Sequence, residues 1–399
     1  MKAMPTLAQA QRLILSTLAP LPSEEVPLPA AAGRVAAAPL TAKRAVPDFA
    51  RSSMDGFAIH SSTLAATGRA ELVVIGEIAA GATILPSLRQ GSAIRIMTGG
   101  AVPPGADQVV PVEQCRFEEG RVLIAAPPRS GAFIRQAGAD LRRGRTIVAP
   151  GRRIEPQHLP LLAESGCETV AATTRPRLAI LCTGSELLEA SATPLRGQIV
   201  GGNRFLLDAL ARRADAAVSG TELAVDDLDT IVARLEAALA SPADLIITTG
   251  GMGPGKYDLL PQAFERLGIQ PLYRQLAVRP GRSTMFGLAG GKPLFALPGP
   301  PPAVFPLFHE LVLPALNRLQ GLRRPLGQTA AAVLAEPLSL NKTGILNLKA
   351  ATARLEGTTL VVRASRAGET ANAIIHIPAN RRHLRAGETV RLRLCGLLA

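Results

Sequence analysis

Three glycine-containing loops each follow a short apolar run, and their residue types could bind a phosphate group. They comprise residues 183–186 (TGSE), 249–255 (TGGMGPG) and 298–301 (PGPP). At the carboxyl edge of a parallel sheet such loops lie together, and glycine lets backbone N–H groups approach an anion closely. They match neither a Walker motif nor a GxGxxG fingerprint. One such loop alone would indicate a tight turn, whereas the three together predict a ligand-binding edge.

Carboxylates close to these loops in sequence indicate a divalent cation. They are Glu186, Asp226, Asp227 and Asp258. Bare carboxylates would repel a phosphate, whereas a cation held between them would attract it. Asp227 is equally suited to cap the helix that the sequence predicts from Leu228 onwards. Basic residues that could neutralise phosphate, or simply remain solvated, are Lys256, Arg279 and Arg282.

Other site chemistries fit the sequence poorly. The four cysteines are scattered without paired spacing, so neither a disulfide framework nor a cysteine zinc site is expected. The five histidines show no metal-ligand spacing either. A net charge of +13 is spread along the chain, and two Tyr with no Trp offer few stacking surfaces for bases. We therefore expect no nucleic-acid partner.

The sequence also predicts no membrane partner, because no run approaches the roughly 20 apolar residues that span a bilayer. Residues 1–20 resemble a signal peptide superficially, but polar residues interrupt their apolar run. Leu7, Gln11, Ile14, Leu15 and Leu18 fall at helical spacing instead. We expect an amphipathic N-terminal helix and a cytoplasmic protein.

The elements that must position the loops alternate between strand and helix. Apolar runs at 178–182, 243–248 and 293–297 alternate with amphipathic helices at 203–213 and 227–240. This alternation predicts a central parallel-sheet α/β domain. Short β-prone runs before it predict partly β N-terminal domains, and five β-prone runs after residue 324 predict a small C-terminal β-barrel or sandwich. The expected fold class is multidomain α/β plus β.

Ordered motifs along nearly the whole chain resemble those of the MoeA family, the molybdopterin molybdenumtransferases related to the gephyrin E domain. They include RSSMDGFAI (51–59), AIRIMTGGAVPPGADQVVPVE (93–113), RLAILCTGSELL (177–188), DLIITTGGMGPGKYD (244–258), LAVRPGR (276–282) and ALPGPPPAVF (296–305). The resemblance implies a C-terminal barrel and a homodimer. It implies four domains: residues 1–47 with 146–176, 48–145, 177–324 and 325–399.

The same resemblance implies an activity: molybdenum insertion into adenylated molybdopterin, using molybdate and Mg²⁺ and releasing AMP. The molybdopterin adenylyltransferase and recipient molybdoenzymes would be its protein partners. Matching motif positions imply catalytic roles for Asp55, Asp140, Glu186, Asp227, Asp258, Arg279 and Arg282, with Glu186, Asp227 and Asp258 as metal ligands. The motif leaves open which of the adjacent pair Asp226 and Asp227 takes the acidic position between Glu186 and Asp258. They imply ligand binding by Thr183, Gly184, Ser185, Asn203, Gly250, Gly251, Gly255, Pro298, Gly299 and Pro301. Asp55 and Asp140 would reach the site from the N-terminal half of a partner subunit.

Departures from the family pattern leave a second hypothesis open. Gly201 stands where an acidic residue is common, Pro300 replaces an Asn, and Arg366-Ala367 lie where a Ser-Ser pair is expected. Pro300 removes both a side-chain amide and a backbone donor. The alternative is therefore a molybdopterin-binding or carrier protein that has lost part of the insertase site.

Overall fold

The computed structural model describes residues 4–64, 69–125, 129, 131–253 and 255–398. They form an N-terminal half built on small sheets, a central α/β unit and a C-terminal barrel. The predicted fold class is therefore confirmed, whereas the exact domain boundaries remain a prediction. Within the described ranges, no helix combines the length and apolar character needed to cross a membrane.

A six-stranded sheet forms the centre of the molecule. In spatial order its strands are Ala217–Ala224, Arg177–Thr183, Leu245–Thr249, Lys292–Leu297, Met285–Ala289 and Gln270–Tyr273. The first four strands are parallel, and the sequence predicts three of them; strand Ala217–Ala224 was not predicted. The last two are antiparallel and were not predicted. Gly290 and Gly291 both have positive φ and form the two-residue turn that reverses the chain there.

Helices cover both faces of this sheet. They are Gly202–Arg213, Leu228–Ala240, Leu260–Arg266, Pro301–Leu307 and Leu313–Leu319, the last two joined by a π-helical turn at Phe308–Val312. Side chains alternate along the strand 177–183: Leu178 and Ile180 join one apolar core, and Ala179 and Leu181 join the other. Both faces are thus buried, which explains why these strands are continuous apolar runs.

The N-terminal half begins with the predicted amphipathic helix, Leu7–Thr17, whose Leu7, Ala10 and Ile14 enter a core shared with the helical segment 301–319. Further on, a six-stranded sheet comprises Gln108–Pro111, Gly56–Ile59, Ser92–Ile96, Ala70–Ile78, Arg121–Ile124 and Cys115–Glu118. Residues on either side of this sheet in the chain pair with one another, Ser23–Pro27 with Thr169–Thr173 and Leu40–Thr41 with Thr146–Val148. The helix His158–Glu164 packs between them.

The C-terminal residues form a closed five-stranded barrel. Its strands are Thr329–Leu334, Leu346–Glu356, Thr359–Ala364, Ala373–Ile377 and Thr389–Leu394. Strand 346–356 pairs on both sides, with 359–364 and with 373–377, which closes the ring. The short strand Val278–Arg279 of the α/β unit also pairs with its beginning. That pairing holds the barrel against the α/β unit.

Candidate functional site

A cavity of about 440 Å³ opens at the carboxyl ends of the parallel strands, where the three glycine-containing loops meet. The predicted residues that line it are Thr183, Gly184, Glu186, Asn203, Gly250, Gly251, Gly255, Asp258, Gly299 and Pro301. Ser185 and Pro298 do not line it. Cys182 lies in its wall, but burial raises the pKa of that thiol and keeps it protonated. We call this space the strand-end cavity.

The loop 249–255 is held in shape by Asp258. Its Oδ1 accepts a hydrogen bond from Gly253 N (2.6 Å), and its Oδ2 accepts one from Gly255 N (2.7 Å). A Cβ at either glycine would lie within 3 Å of the Asp258 carboxylate. These two amides therefore bind Asp258 rather than a ligand. Pro254 of this loop lies outside the described residues.

Gly250 brings this loop into contact with the neighbouring strand end. Its φ is +92°, and a Cβ there would lie 2.3 Å from the carbonyl oxygen of Thr183. Only glycine fits this backbone conformation and this separation without displacing the strand. The close approach is what joins the first and second loops around one cavity.

The helix Gly202–Arg213 points its N-terminus into the cavity. No side chain caps this end, so the first-turn amides and the positive end of the helix dipole are available to an anion. Asn203 is 8% exposed, and its Nδ2 donates to Gly299 O (2.6 Å). Its Oδ1 is buried without a partner among the described residues. A buried unpaired carbonyl oxygen of this kind suits an N–H or O–H donor on a ligand.

Two adjacent aspartates at the end of strand 217–224 have separate roles. Asp227 caps the helix Leu228–Ala240, where its Oδ2 accepts from Thr230 N (2.9 Å) and Thr230 Oγ1 (2.7 Å). These hydrogen bonds lower the pKa of its carboxyl. Asp226 lines the cavity, and its Oδ2 accepts from Ser185 N (3.0 Å). The predicted metal ligand Asp227 is thus engaged at a helix cap, and its neighbour Asp226 is the one that lines the strand-end cavity.

Glu186 is another carboxylate that lines the strand-end cavity, beside Asp226 and Asp258. It is exposed, and no other described residue forms a hydrogen bond with its carboxylate. Over the described part of the chain, no group of three or more His, Cys, Asp or Glu side chains converges as a metal site would. The predicted set of Glu186, Asp227 and Asp258 is therefore not assembled. Because Asp227 and Asp258 are engaged in hydrogen bonds, the carboxylates of Glu186 and Asp226 are the ones that remain accessible to a cation in this cavity.

A second cavity, of about 360 Å³, lies where the α/β unit meets the mouth of the barrel. It contains the predicted Arg279, whose Nη1 is buried without a partner among the described residues. Lys342 and Lys349 from the barrel share its lining. We call it the oxyanion cavity because it presents three cationic side chains. Arg282 is exposed and lines neither cavity.

The two acidic residues predicted in the N-terminal half line neither cavity of this chain. Thr98 donates two hydrogen bonds to Asp55 Oδ1, from its hydroxyl and its backbone N (both 2.6 Å), and these lower the pKa of Asp55. Asp140 forms an ion pair with Arg135. Both carboxylates are thus held in fixed orientations in the N-terminal half.

Several residues that were not predicted from the sequence also line the two cavities. Tyr257, 66% exposed, forms part of the strand-end cavity beside Lys256. In the oxyanion cavity the additions are Lys342, Asn347 and Lys349 from the barrel. One signal was available, because the chain has only six lysines and two of them fall within eight residues here.

Comparisons with known proteins agree with this architecture. Residues 5–166 match the family model described as the MoeA N-terminal region (domain I and II), and residues 179–318 match a probable molybdopterin binding domain. A molybdopterin molybdenumtransferase of Staphylococcus epidermidis is 33% identical, over 90% of this chain and 88% of its own. One from Staphylococcus aureus is 31% identical, over 97% and 94%.

A solved structure gives the same result. The crystal structure of a molybdopterin biosynthesis MoeA protein from Pyrococcus horikosii superposes with a TM-score of 0.85 at 27% identity. It covers 99% of this chain and 100% of the archaeal one. The likeness therefore extends over the N-terminal half, the α/β unit and the barrel together.

Proposed function

The chain belongs to the MoeA family of molybdopterin molybdenumtransferases, and from this premise we propose how its two cavities divide the reaction. It is a transferase of molybdenum cofactor biosynthesis that inserts molybdenum into molybdopterin. We propose that the organic substrate is adenylated molybdopterin, that molybdate is the metal donor, and that AMP is released. The observation that carries the proposal is the strand-end cavity, with its glycine loops, its uncapped helix and the accessible carboxylates of Glu186 and Asp226.

In this proposal the strand-end cavity binds the phosphate-bearing substrate. The N-terminus of helix 202–213 would attract the negative charge, and Asn203 Oδ1 would accept a hydrogen bond from a substrate N–H or O–H. Asp258 would act indirectly, since its carboxylate fixes the amides of the loop 249–255. This role accounts for an acidic residue beside a phosphate site.

Mg²⁺ fits the donors present. Glu186 and the second oxygen of Asp226 are accessible carboxylate oxygens, and Mg²⁺ is commonly bound by one or two carboxylates together with substrate phosphates. When bound there, Mg²⁺ would offset the negative charge of the pyrophosphate. The carboxylates would otherwise repel that charge, so substrate binding should require the cation.

The oxyanion cavity suits molybdate. Arg279, Lys342 and Lys349 would supply charge-assisted hydrogen bonds to its oxygens. The unpaired Nη1 of Arg279 would gain the partner that it lacks in the free protein. Arg282, being exposed and outside this cavity, would contribute only long-range charge.

We further propose a homodimer in which the partner copy brings its N-terminal carboxylates to this site. Asp55 and Asp140 line neither cavity of their own chain, yet both are held in fixed orientations. The molybdopterin adenylyltransferase would supply the substrate, and molybdoenzymes would receive the product.

One observation favours a second candidate function, a carrier that binds molybdopterin without releasing AMP. Pro300 lines the strand-end cavity but has no backbone N–H, and the Gly253 and Gly255 amides are already engaged by Asp258. The cavity thus offers few donors to stabilise a phosphate group during cleavage.

The deciding experiment measures AMP release from adenylated molybdopterin with Mg²⁺, in the presence and absence of molybdate. The insertase should release AMP faster when molybdate is present. A double variant, Glu186→Gln with Asp226→Asn, should lose this activity, while the surface variant Glu236→Gln serves as a folded control. Tight substrate binding without any AMP release would establish the carrier instead.

A further inference from the structure

Glu310 is a fully buried carboxylate that three separate parts of the chain contact. It lies in the π-helical turn Phe308–Val312 of the α/β unit and is 0% exposed. Its Oε1 accepts from His376 Nε2 (2.7 Å) and Arg393 Nε (2.6 Å), both on the barrel. Its Oε2 accepts from Gln11 Nε2 (3.0 Å) on the N-terminal helix. Glu310 lines neither the strand-end cavity nor the oxyanion cavity.

The cluster is electrostatically paired. Burial by itself would raise the pKa of Glu310, but hydrogen bonds from His376 and Arg393 outweigh it, so the pKa lies below its usual range. Arg393 is 4% exposed and also donates to Gly327 O (2.5 Å). Removing one partner of such a pair would leave the other charge buried and unpaired, which is strongly destabilising. The folded protein therefore favours the arrangement in which the barrel residues stay paired with Glu310.

The barrel strand next to this cluster also forms the wall of the oxyanion cavity. His376 lies opposite Leu348 in the register of the barrel, and Leu348 packs in the apolar core of the α/β unit. Asn347 and Lys349, the residues on either side, project from the other face of the strand and line the oxyanion cavity. Asn347 is in turn paired with Arg279 of the α/β unit.

We propose that Glu310 is a positioning residue for the oxyanion cavity: through His376 and Arg393 it fixes strand 346–356 on the α/β unit and thereby sets where Lys349 stands relative to Arg279. This inference rests on the proposed function only in taking molybdate as the ligand of that cavity. Glu310 itself touches no substrate. Its effect is on the affinity for the oxyanion rather than on the chemistry in the strand-end cavity.

The test compares Glu310→Gln with Gln11→Ala. Equilibrium dialysis with molybdate alone should show about tenfold weaker binding by Glu310→Gln, and amide hydrogen exchange should be faster at residues 346–349. AMP release at saturating molybdate should stay within about twofold of wild type, so that the loss appears in the molybdate concentration required. Gln11→Ala removes a contact to the same carboxylate from the opposite side and should leave molybdate binding unchanged.

Two further variants decide the matter if Glu310→Gln does not fold. His376→Leu keeps the Arg393 pair but removes one barrel donor, and His376→Gln restores a donor of similar reach. Weaker molybdate binding by the first and recovery by the second would support the positioning role. If both His376 variants bind molybdate with wild-type affinity, and Glu310→Gln does so too where it folds, the positioning role is overturned.

Failure of the proposed function gives a different pattern. If wild type binds molybdate and His376→Leu weakens that binding, the positioning role stands even when no AMP is released. If wild type binds no molybdate, the oxyanion assignment fails and this proposal fails with it.

Discussion

The strand-end cavity and the oxyanion cavity differ in the groups that they offer a ligand. The first is built from glycine loops, a helix N-terminus and the carboxylates Glu186 and Asp226. The second is lined by Arg279, Lys342 and Lys349, with no carboxylate among its lining residues. A carboxylate-lined site needs a cation before it can hold a phosphate, whereas a cationic one binds an oxyanion directly. Dependence on Mg²⁺ and dependence on molybdate should therefore belong to different cavities.

The substitution expected to have the largest effect is Gly250→Ala. It should abolish substrate binding in the strand-end cavity and leave the oxyanion cavity intact. The new Cβ would meet the carbonyl of Thr183 at 2.3 Å on a backbone with φ of +92°, so we expect a loss of about 3 kcal/mol in the free energy of unfolding. Urea unfolding and binding of adenylated molybdopterin would measure both effects.

The matched control is Gly220→Ala, a glycine of the same sheet with negative φ and no atom within 4 Å of the new Cβ. Its stability should change by less than about 0.5 kcal/mol. Equal behaviour of the two variants would contradict the close approach described for Gly250.

Arg279→Ala should have the next largest effect, and only on the oxyanion cavity. Loss of a charge-assisted donor should raise the molybdate concentration for half-maximal AMP release about tenfold or more, with the Mg²⁺ requirement unchanged. Arg279→Lys keeps a positive charge and should recover part of the lost molybdate affinity. Arg282→Ala removes an exposed arginine three residues further along the chain and should shift the half-maximal molybdate concentration less than twofold. A larger shift would place Arg282 in the site.

The smallest effects should separate Asp226 from Asp227. Asp226→Asn should raise the Mg²⁺ requirement several-fold without lowering the melting temperature, because Asn keeps an acceptor for Ser185 N. Asp227→Ala should lower the melting temperature and leave the Mg²⁺ requirement unchanged, because the lost group is a helix cap. The reverse outcome would return Asp227 to the metal site.

Melting as a function of pH checks the same assignment. The pKa of Asp227 is lowered in the folded protein, so its ionised cap adds stability above the ordinary value of 3.8, and that stability is lost as the pH falls through the lowered pKa. The difference in melting temperature between wild type and Asp227→Ala should therefore shrink in acid. A constant difference would mean that the charge of Asp227 contributes nothing to the cap.

Local patterns were enough to predict three of the four parallel strands and the loops that follow them, whereas strand Ala217–Ala224 is largely unburied and was missed. Buried runs such as 178–182 are continuous and apolar and end in glycine, so their type and their place at one edge follow from sequence. The antiparallel strand Met285–Ala289 was missed because it carries a glycine and begins only three residues after the Pro280-Gly281 turn sequence.

The parts of the site that sequence left undecided depend on single-residue or long-range geometry. Asp226 and Asp227 are adjacent, and a sequence pattern defines the first residue of a helix only to within one or two positions. The three-dimensional structure is therefore needed to tell the helix cap, Asp227, from the residue that lines the cavity, Asp226. The oxyanion cavity joins Arg279 to Lys349 through the pairing of two units, which no local pattern encodes.

The pairing of Ser23–Pro27 with Thr169–Thr173 has a consequence for synthesis on the ribosome. Thr169 donates a hydrogen bond to Glu25 at a sequence separation of 144 residues, a span that takes roughly 7 to 30 s to translate. The six-stranded sheet between residues 56 and 124 lies wholly inside that span and can fold as soon as it emerges. Strand Ser23–Pro27 stays unpaired until residue 173 has been synthesised. A chaperone that binds the nascent chain would protect this strand most during that interval.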